Sequence, residues 1–430
     1  MPATPAAHGE EALLGSSKPT VSELPPWLAR WLALGLTLWG IGVQVNETVA
    51  ALGLAASAVG VATHWALAAK PGDAASALFH WTPLALFLGW ALLVPALAGH
   101  PPTWTGVARL FDWLGIPIAA YAVAVLPPRR RAAVAAICGA LFLLSCAVAA
   151  LQHFGLWPTE GAFQAWSWTR IPFWRVYEPV AQADGRFMAG GLLFHRLKFA
   201  HVGGLAVLAS CVLGLAARGA LRALGLACAI VGFVSVLEFP YARAASVALL
   251  VALSVALILS LKGRRAVWPA LAIATLAVAS IVAYRPTRER FLTALTPAGG
   301  GDRSELLSTG VRAVSEHPLA GVGLGRFRPS YFGSPETPQH VIDNPGKAHN
   351  QFLSIAAEVG IPGLLLFLVF LAWMAKAFNP SKPLGVLGIS CLVFFGILSL
   401  AHDPLIHPPF SMGLALCLGA ARARTAISVR

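Results

Sequence analysis

The feature that most constrains this chain is a succession of long apolar stretches separated by short polar connections. A helix that spans a membrane needs about 20 mainly apolar residues. Only 11% of the residues are charged and 57% are hydrophobic, whereas a soluble domain carries about 25% charged residues. The sequence therefore predicts an all-α, polytopic membrane protein.

We predict about twelve transmembrane helices. They form a single transmembrane domain over 28–430, which follows a disordered cytoplasmic tail over 1–27. The tail is polar and lacks the apolar core of a cleaved signal peptide. The predicted spans cover approximately 28–45, 48–69, 75–98, 104–126, 132–152, 197–217, 219–239, 243–261, 266–284, 350–376, 383–401 and 405–421.

Lysine and arginine are concentrated in every second connection between these spans. The connections "PPRRRAA" and "KGRRA" lie on one side, whereas "QVNET" and "AHDPLIHPP" on the other side are nearly free of cations. Short cytoplasmic loops attract lysine and arginine. Since the alternation holds through all twelve spans, we expect both termini to be cytoplasmic.

Two connections, about 153–196 and 285–349, are long, and both fall on the outer side. Most cations of that side occur in or beside these loops or at the mouth of a helix. One arginine alone is compatible with a solvated surface that touches anionic headgroups. The planar guanidinium also suits phosphate oxygens, and the whole set indicates an anionic ligand on the outer face.

His349 lies at the outer, N-terminal end of the tenth predicted span, in "KAHNQFLSIAAEVG". The positive end of the helix dipole disfavours a charged imidazolium there, and neighbouring arginines act in the same direction. A general base must be neutral before it accepts a proton. The position of His349 fits a general base and a helix-capping or interfacial histidine equally well.

Glu358 lies nine residues further along the same span, or about 13 Å at 1.5 Å per residue. An ionisable group at that depth is costly and usually faces a partner or a cavity. Ala356 and Gly360 are spaced for close helix packing. We favour a structural role for Glu358, which would lock this helix to a neighbour, and we expect the membrane interior to be nearly free of other charges.

The second long loop contains a predicted short helix after Arg303. Asp302 or Ser304 can cap it, and it ends at Pro318. Its predicted apolar stripe consists of Leu306, Leu307, Val311 and Val314.

Three alternating glycines follow this helix in "GVGLGRF", at 321, 323 and 325. Such glycines suit a tight turn or a close approach of two backbones. Their spacing also occurs in nucleotide-binding loops, but no strand precedes them here, which excludes that interpretation.

Other outer-side cations lie where predicted spans begin. Arg243 is at the mouth of the eighth span, where it either meets a ligand or extends to the headgroups. Arg186, His195, Arg196 and His201 approach the mouth of the sixth. The two histidines are poorly spaced for metal ligation and no carboxylate accompanies them, so we predict no metal site.

Several of these motifs, in this order, resemble the O-antigen ligase superfamily. They are Arg243 at the opening of a span, Arg303 in a late outer loop, PxxGxGxGxF at 318–327, and HNxxL at 349–353 followed by ExGxxG at 358–363. The superfamily includes lipopolysaccharide O-antigen ligases, O-antigen polymerases and pilin oligosaccharyltransferases.

The resembling core runs from about 185 to 365. Two positions depart from the pattern. Ala242-Arg243-Ala244 stands where the family often has Ser-Arg-Gly, and Leu307 stands where a tryptophan is common. These departures affect the register of the two arginines more than their presence.

The resemblance implies a GT-C-like, metal-independent and inverting glycosyltransferase without a cofactor, with its active site on the periplasmic face of the bacterial inner membrane. The implied donor is O-antigen on undecaprenyl diphosphate, and the implied acceptor is a sugar hydroxyl of the lipid A core. Membrane lipids would surround both substrates. Nucleic acid is not an expected partner. His349 would be the base, and Arg303 and Arg243 would neutralise the diphosphate. The candidate substrate-binding residues are Arg186, Arg196, Arg288, Arg312 and Arg326.

Within the superfamily we favour a ligase over a polymerase, which differs only in its acceptor. Pilin oligosaccharyltransferases tend to carry extra periplasmic mass, which this chain lacks. A transporter of a lipid-linked glycan is a further alternative. It would place cations near the bilayer midplane, on discontinuous helices, whereas the cations here crowd the outer side.

Overall fold

A computed structural model describes residues 24–68, 81–157, 180–181, 185–193, 195–261, 303–333 and 347–423, with a few isolated residues between 268 and 292. Its elements are α1 (Pro26–Val45), α2 (Glu47–Ala68), α3 (Thr82–Leu97), α4 (Trp104–Val125), α5 (Pro128–His153), β1 (Val180–Ala181), β2 (Phe187–Met188), α6 (Arg196–Ala216), α7 (Gly219–Glu238), α8 (Arg243–Leu261), α9 (Arg303–Glu316), α10 (Gln351–Ala377), α11 (Pro383–Ser399) and α12 (Pro408–Arg422). The two strands pair antiparallel. Short 3₁₀ turns cover Pro329–Tyr331 and Pro404–Ile406.

The predicted class of all-α, multi-pass membrane protein is confirmed. Eight described helices are long and apolar enough to cross a membrane, and α3 and α11 are shorter apolar helices. The described helices follow the predicted spans, with the largest shift at α3, which begins at Thr82. The predicted span over 266–284 and most of the predicted tail, 1–23, lie outside the described residues. The count of twelve and the GT-C-like arrangement stay predictions.

Small residues let these helices approach closely. A Cβ on Gly42 of α1 would collide with the backbone of Ala50 in α2, and one on Gly204 of α6 would collide with the ring of Phe394 in α11. Helices in lipid gain little from hydrophobic burial, so their association depends on such close packing. The fold is therefore sensitive to side-chain size at these contacts.

The connections predicted on the outer side meet at one end of the bundle. Polar contacts join Glu47 to Lys198, Ala189 to Phe239, Thr103 to Leu324, and Gln351 to His402. Each pair joins two different predicted outer segments. The structure thus agrees with the alternation of connections, and the side of the membrane that this end faces stays a prediction.

Helix α9 begins at Arg303 and ends before Pro318, as predicted, but its buried face differs from the predicted stripe. Leu306 and Ala313 are buried, whereas Leu307 and Val311 are exposed. The small Gly310 lets this face approach α10 so closely that a Cβ there would press on a leucine of that helix. Apolarity alone was therefore a poor guide to the buried face.

Candidate active site

Helix α10 is broken at Gly360, and the break receives the segment 318–325, which we call the glycine loop. Gly360 has φ 76° and ψ 171°, a conformation open essentially to glycine alone. A Cβ on Gly360 would collide with the carbonyl of Leu319, and one on Gly321 would collide with the backbone of Glu358. The close backbone approach predicted from the glycine spacing is confirmed.

Backbone hydrogen bonds cross this break. The N–H groups of Val322 and Gly323 donate to the carbonyls of Ala357 and Glu358 at 2.8 and 3.0 Å. In return, the N–H of Ile361 donates to the carbonyl of Pro318 at 2.8 Å. Since buried backbone groups must be paired, the loop satisfies groups that the break in α10 would leave open.

Glu358 forms a buried ion pair with Lys347, which also donates to the carbonyl of Phe327 at 2.9 Å. A guanidinium nitrogen of Arg109, in α4, lies 4.0 Å from the same carboxylate. We call Lys347, Glu358 and Arg109 the ion-pair joint. It connects the start of α10, the glycine-loop region and α4, which agrees with a structural role for Glu358.

The expectation that the membrane interior is nearly free of charge apart from Glu358 is wrong. Arg109 and Asp112 both lie within α4, and Asp112 is buried and accepts a hydrogen bond from Ser411 of α12. Both residues stand within the predicted span 104–126 and could have been recognised from the sequence. They remain tolerable there because each has a polar partner.

Asn350, not His349, caps helix α10. The Asn350 side chain accepts a hydrogen bond from the N–H of Leu353 at 3.1 Å, which is the usual work of an N-cap. His349 precedes the cap with φ 53°, in the left-handed region. The helix-capping alternative for His349 is therefore wrong, whereas an interfacial histidine and a general base both stay predictions for this half-buried imidazole.

His349 is one end of a group of imidazoles, which we call the histidine cluster. Ring centroids lie 6.0 Å apart for His349 and His402, 5.5 Å for His402 and His201, 5.8 Å for His201 and His407, and 6.0 Å for His407 and His195. Sequence reasoning missed His402 and His407. The available signal was two histidines in one short polar connection between apolar spans.

The surroundings keep two members of this cluster, His402 and His407, neutral. Burial lowers the pKa of His402 to about 3, and the charges of Arg303 and His349 add to this effect. Burial likewise lowers the pKa of His407 to about 4. Among the described residues, no group of three or more histidine, cysteine or acidic side chains has an arrangement that could hold a metal ion.

Three arginines lie beside the histidine cluster, and we call them the cationic mouth. Arg303 acts electrostatically on His402 and on Arg243, and Arg243 acts on Arg196. Arg196 also donates to the carbonyl of Pro240 at 3.1 Å. Arg303 thus interacts with His402, which lies next to His349, and Arg243 interacts with Arg303 and Arg196. The catalytic and substrate-binding roles of these residues stay predictions.

The other candidate arginines lie elsewhere. Arg186 stacks on the ring of Phe154 at 4.5 Å, and Arg326 is exposed and donates to the carbonyl of Pro101. Arg312 is half-buried on α9 and Arg288 is exposed. The substrate-binding role of these four arginines stays a prediction.

These features define a multi-pass membrane protein with a cation-rich polar site at one end of its helix bundle. Residues 229–368 match the family model described as O-antigen ligase. The resemblance read from the motifs is therefore confirmed for this segment. The comparison with curated proteins finds no match.

The matched segment contains Arg243, Arg303 and His349, whereas Arg186 and Arg196 precede it. The family supports a function of the O-antigen ligase or polymerase type, performed by a glycosyltransferase-like membrane enzyme on lipid-linked glycans.

Proposed function

We propose that the protein is an O-antigen ligase of the bacterial inner membrane. It transfers a polysaccharide from undecaprenyl diphosphate to a sugar hydroxyl of the lipid A core, on the periplasmic face. The observation that carries the proposal is the cationic mouth beside His349, because its Arg303 and Arg243 and the histidine all fall within the segment that matches the O-antigen ligase model.

The cationic mouth suits the diphosphate of the donor. Arg243 experiences repulsion from Arg303, and Arg196 experiences repulsion from Arg243, so a ligand with several negative charges relieves that repulsion on binding. As the glycosidic bond breaks, negative charge grows on the leaving diphosphate. Fixed guanidinium groups stabilise such charge in the transition state. In this proposal they supply the charge that a metal ion supplies in other transferases.

His349 is the proposed general base. The acceptor hydroxyl oxygen forms a bond to the anomeric carbon while the bond from that carbon to the diphosphate oxygen breaks. The hydroxyl proton moves to the imidazole of His349, and undecaprenyl diphosphate leaves with the bonding electron pair. A single in-line displacement of this kind inverts the anomeric centre. Neutral His402 beside His349 adds no further positive charge against proton uptake.

The break in α10 bears on the transporter alternative, since transporters place substrate at discontinuous helices. Here backbone groups of the glycine loop fill the break and accept or donate its hydrogen bonds. The ion-pair joint adds a buried contact beside it. This filled break favours an enzyme with a fixed site on one side of the membrane.

Reconstitution tests the proposal. Purified protein in detergent receives lipid-linked O-antigen and core–lipid A, with chelator present and no nucleotide, and transfer is followed by gel shift. We expect transfer by the wild type and by Arg129→Ala, an exposed cation at the opposite end of the bundle. We expect loss of transfer in folded His349→Ala and Arg303→Ala.

Transfer that survives His349→Ala contradicts the assignment of the base. Lengthening of chains when lipid-linked repeat units are supplied alone, with no transfer to the core, identifies a polymerase instead. Movement of the lipid-linked glycan between the leaflets of a proteoliposome, with no new glycosidic bond, identifies a transporter.

A further inference from the structure

The segment 187–193 passes the end of α5 just before α6 begins, and one buried side chain of α5 holds it there. The side-chain oxygen of Gln152 accepts hydrogen bonds from the N–H groups of Gly190 and Gly191 at 3.0 and 2.9 Å. The side-chain nitrogen of Gln152 donates to the carbonyl of Gly191 at 3.0 Å. Since Gln152 is only 2% exposed, water has little access to these bonds, and together they fix the backbone of this turn.

Further contacts fit the turn closely between α5 and α6. The hydroxyl of Ser145, about two turns earlier in α5, accepts a hydrogen bond from the N–H of Leu192 at 3.2 Å. Gly191 has φ 60°. A Cβ on Gly191 would meet the Ser145 oxygen at 2.7 Å and the ring of Phe199 in α6 at 2.8 Å. The position of the turn therefore depends on its contacts with α5.

Arg196 is the first residue of α6, and its side chain crosses to the turn that precedes α8. Its Nη1 group donates to the carbonyls of Pro240 and Tyr241 at 3.1 and 3.4 Å. The N–H of Ala189 donates to the carbonyl of Phe239 at 2.9 Å, so the two turns are also joined through their backbones. The place of this guanidinium therefore depends on how the turn before α6 is held against the turn before α8.

Arg196 retains hydrogen-bond donors for an anion, because both of these bonds use Nη1 and a guanidinium carries five N–H donors in a planar fork. Arg196 is half-buried, so a ligand can reach it. Such a fork binds phosphate oxygens in pairs, which requires a defined orientation. A group that is held in its binding orientation loses less conformational freedom when the ligand binds. The affinity of the cationic mouth for an anion should therefore depend on how firmly Arg196 is held.

We propose that Gln152 is a positioning residue, which holds the turn before α6 so that Arg196 presents its guanidinium to a diphosphate at the cationic mouth. The inference rests on the proposed function, which assigns the diphosphate of the donor to this mouth. Gln152 is itself too deeply buried to touch the ligand, and it acts through Arg196. It lies outside the segment 229–368 that matches the O-antigen ligase model.

The test uses Gln152→Met, because methionine fills a similar volume and removes all three hydrogen bonds. Undecaprenyl diphosphate, the leaving group of the proposed reaction, is titrated calorimetrically into purified protein in detergent. A hydrogen bond to a charged group contributes enough that we expect the Kd to rise about 10-fold in Gln152→Met. The matched control is Gln44→Met, which removes another buried glutamine that donates to the carbonyls of Gly40 and Cys138. We expect its Kd to equal that of the wild type.

A double-mutant cycle distinguishes positioning of Arg196 from general stabilisation of the fold. Arg196→Ala should raise the Kd at least as much as Gln152→Met does. The double variant should bind no more weakly than Arg196→Ala, because residues that act through one another do not contribute additively. In the transfer assay, both single variants should raise KM for the donor and leave KM for the acceptor unchanged.

Hydrogen–deuterium exchange supplies a readout that requires no ligand. We expect the amides of Gly190 and Gly191 to exchange faster in Gln152→Met than in the wild type, and at the wild-type rate in Gln44→Met. If Gln152→Met does not fold, Ser145→Ala takes its place, because it removes the hydrogen bond from the N–H of Leu192 to the same turn.

The outcomes separate this inference from the proposed function. A wild type that binds undecaprenyl diphosphate with the expected cycle, but transfers no glycan, contradicts the proposed function and leaves the inference standing. Transfer by the wild type with an unchanged Kd in Gln152→Met overturns the inference and leaves the function standing. The inference is also overturned when the wild type does not bind undecaprenyl diphosphate, when the losses in the double variant are additive, or when Gln44→Met binds as weakly as Gln152→Met.

Discussion

The ion-pair joint and the cationic mouth are both built from charged side chains near the start of α10, yet their arrangements are opposite. In the joint, Lys347 and Glu358 are both buried and contact each other, with Arg109 beyond them at 4.0 Å. In the mouth, Arg243 interacts with both Arg303 and Arg196 as a like charge, and Arg303 is exposed.

The difference distinguishes charged residues that stabilise the fold from charged residues that bind a ligand. A buried pair is specific because the loss of either partner leaves the other uncompensated. Repulsion between crowded like charges opposes folding, and the binding of an anion relieves that repulsion. Substitutions in the joint should therefore change stability, and substitutions in the mouth should change activity.

The largest expected effect is on stability, in Glu358→Gln. The substitution leaves Lys347 buried without its carboxylate, and breaking a buried pair costs about 3–5 kcal/mol. Thermal unfolding in detergent measures it. The double variant Lys347→Met with Glu358→Gln should recover much of the loss, since it removes the buried charge as well. Equal stability of the wild type and Glu358→Gln would show that the joint does not hold the fold.

The next effect is on activity, in Arg303→Ala. Loss of one donor that stabilises a developing anion lowers kcat by about 10²- to 10³-fold. Thermal stability should stay the same or rise, because one of the repelling cations has gone. Arg303→Lys should keep part of the activity, since it keeps the charge but not the planar fork. A fall in stability comparable to that of Glu358→Gln would remove the distinction between the two regions.

The third effect is a pH dependence of stability beside the mouth. The pKa values of His402 and His407 are lowered to about 3 and 4 in the fold, so the unfolded chain binds more protons below about pH 6.5. Their stabilisation is present above pH 6.5 and is lost as the pH falls, by about 1.4 kcal/mol per pH unit for each group. Asp403, with its pKa raised to about 6, acts in the opposite direction: its contribution is present below about pH 4 and is lost as the pH rises through 6.

Unfolding measured between pH 6.5 and 5 checks this sign. His402→Gln should flatten the fall in stability by about 1.4 kcal/mol per pH unit, because one of the two depressed histidines is absent. If His402→Gln leaves the dependence of stability on pH unchanged, His402 takes up its proton in the folded protein as readily as in the unfolded chain.

The helices could be predicted from the sequence because a span is a local property, namely a run of apolar residues of sufficient length. The glycine loop was partly predictable: the spacing at 321–325 indicated a close approach of backbones but not its partner, Gly360. That partner lies some 40 residues away, in a helix whose break is marked locally by Gly360 and Pro362. Nothing in the sequence pairs that break with the glycine loop.

The histidine cluster and the hydrogen bonds of Gln152 could not be predicted in this way. His201, His349 and His402 come from three separate parts of the chain, and their proximity depends on how the helices pack. Among the arginines, Arg326 contacts a backbone carbonyl of a neighbouring connection. The catalytic roles of Arg303 and Arg243 and the substrate-binding role of Arg326 stay predictions.

The smallest expected effect distinguishes the two adjacent residues at the start of α10. Asn350→Ala removes the cap hydrogen bond from the N–H of Leu353 and should lower the free energy of unfolding by about 1 kcal/mol. Asn350→Ser should retain most of the wild-type stability, because serine also caps helices. His349→Ala should leave stability nearly unchanged while it abolishes transfer. If His349→Ala were instead the less stable of the two, its imidazole would belong with the ion-pair joint as a residue of the fold, and the base would have to be sought elsewhere in the histidine cluster.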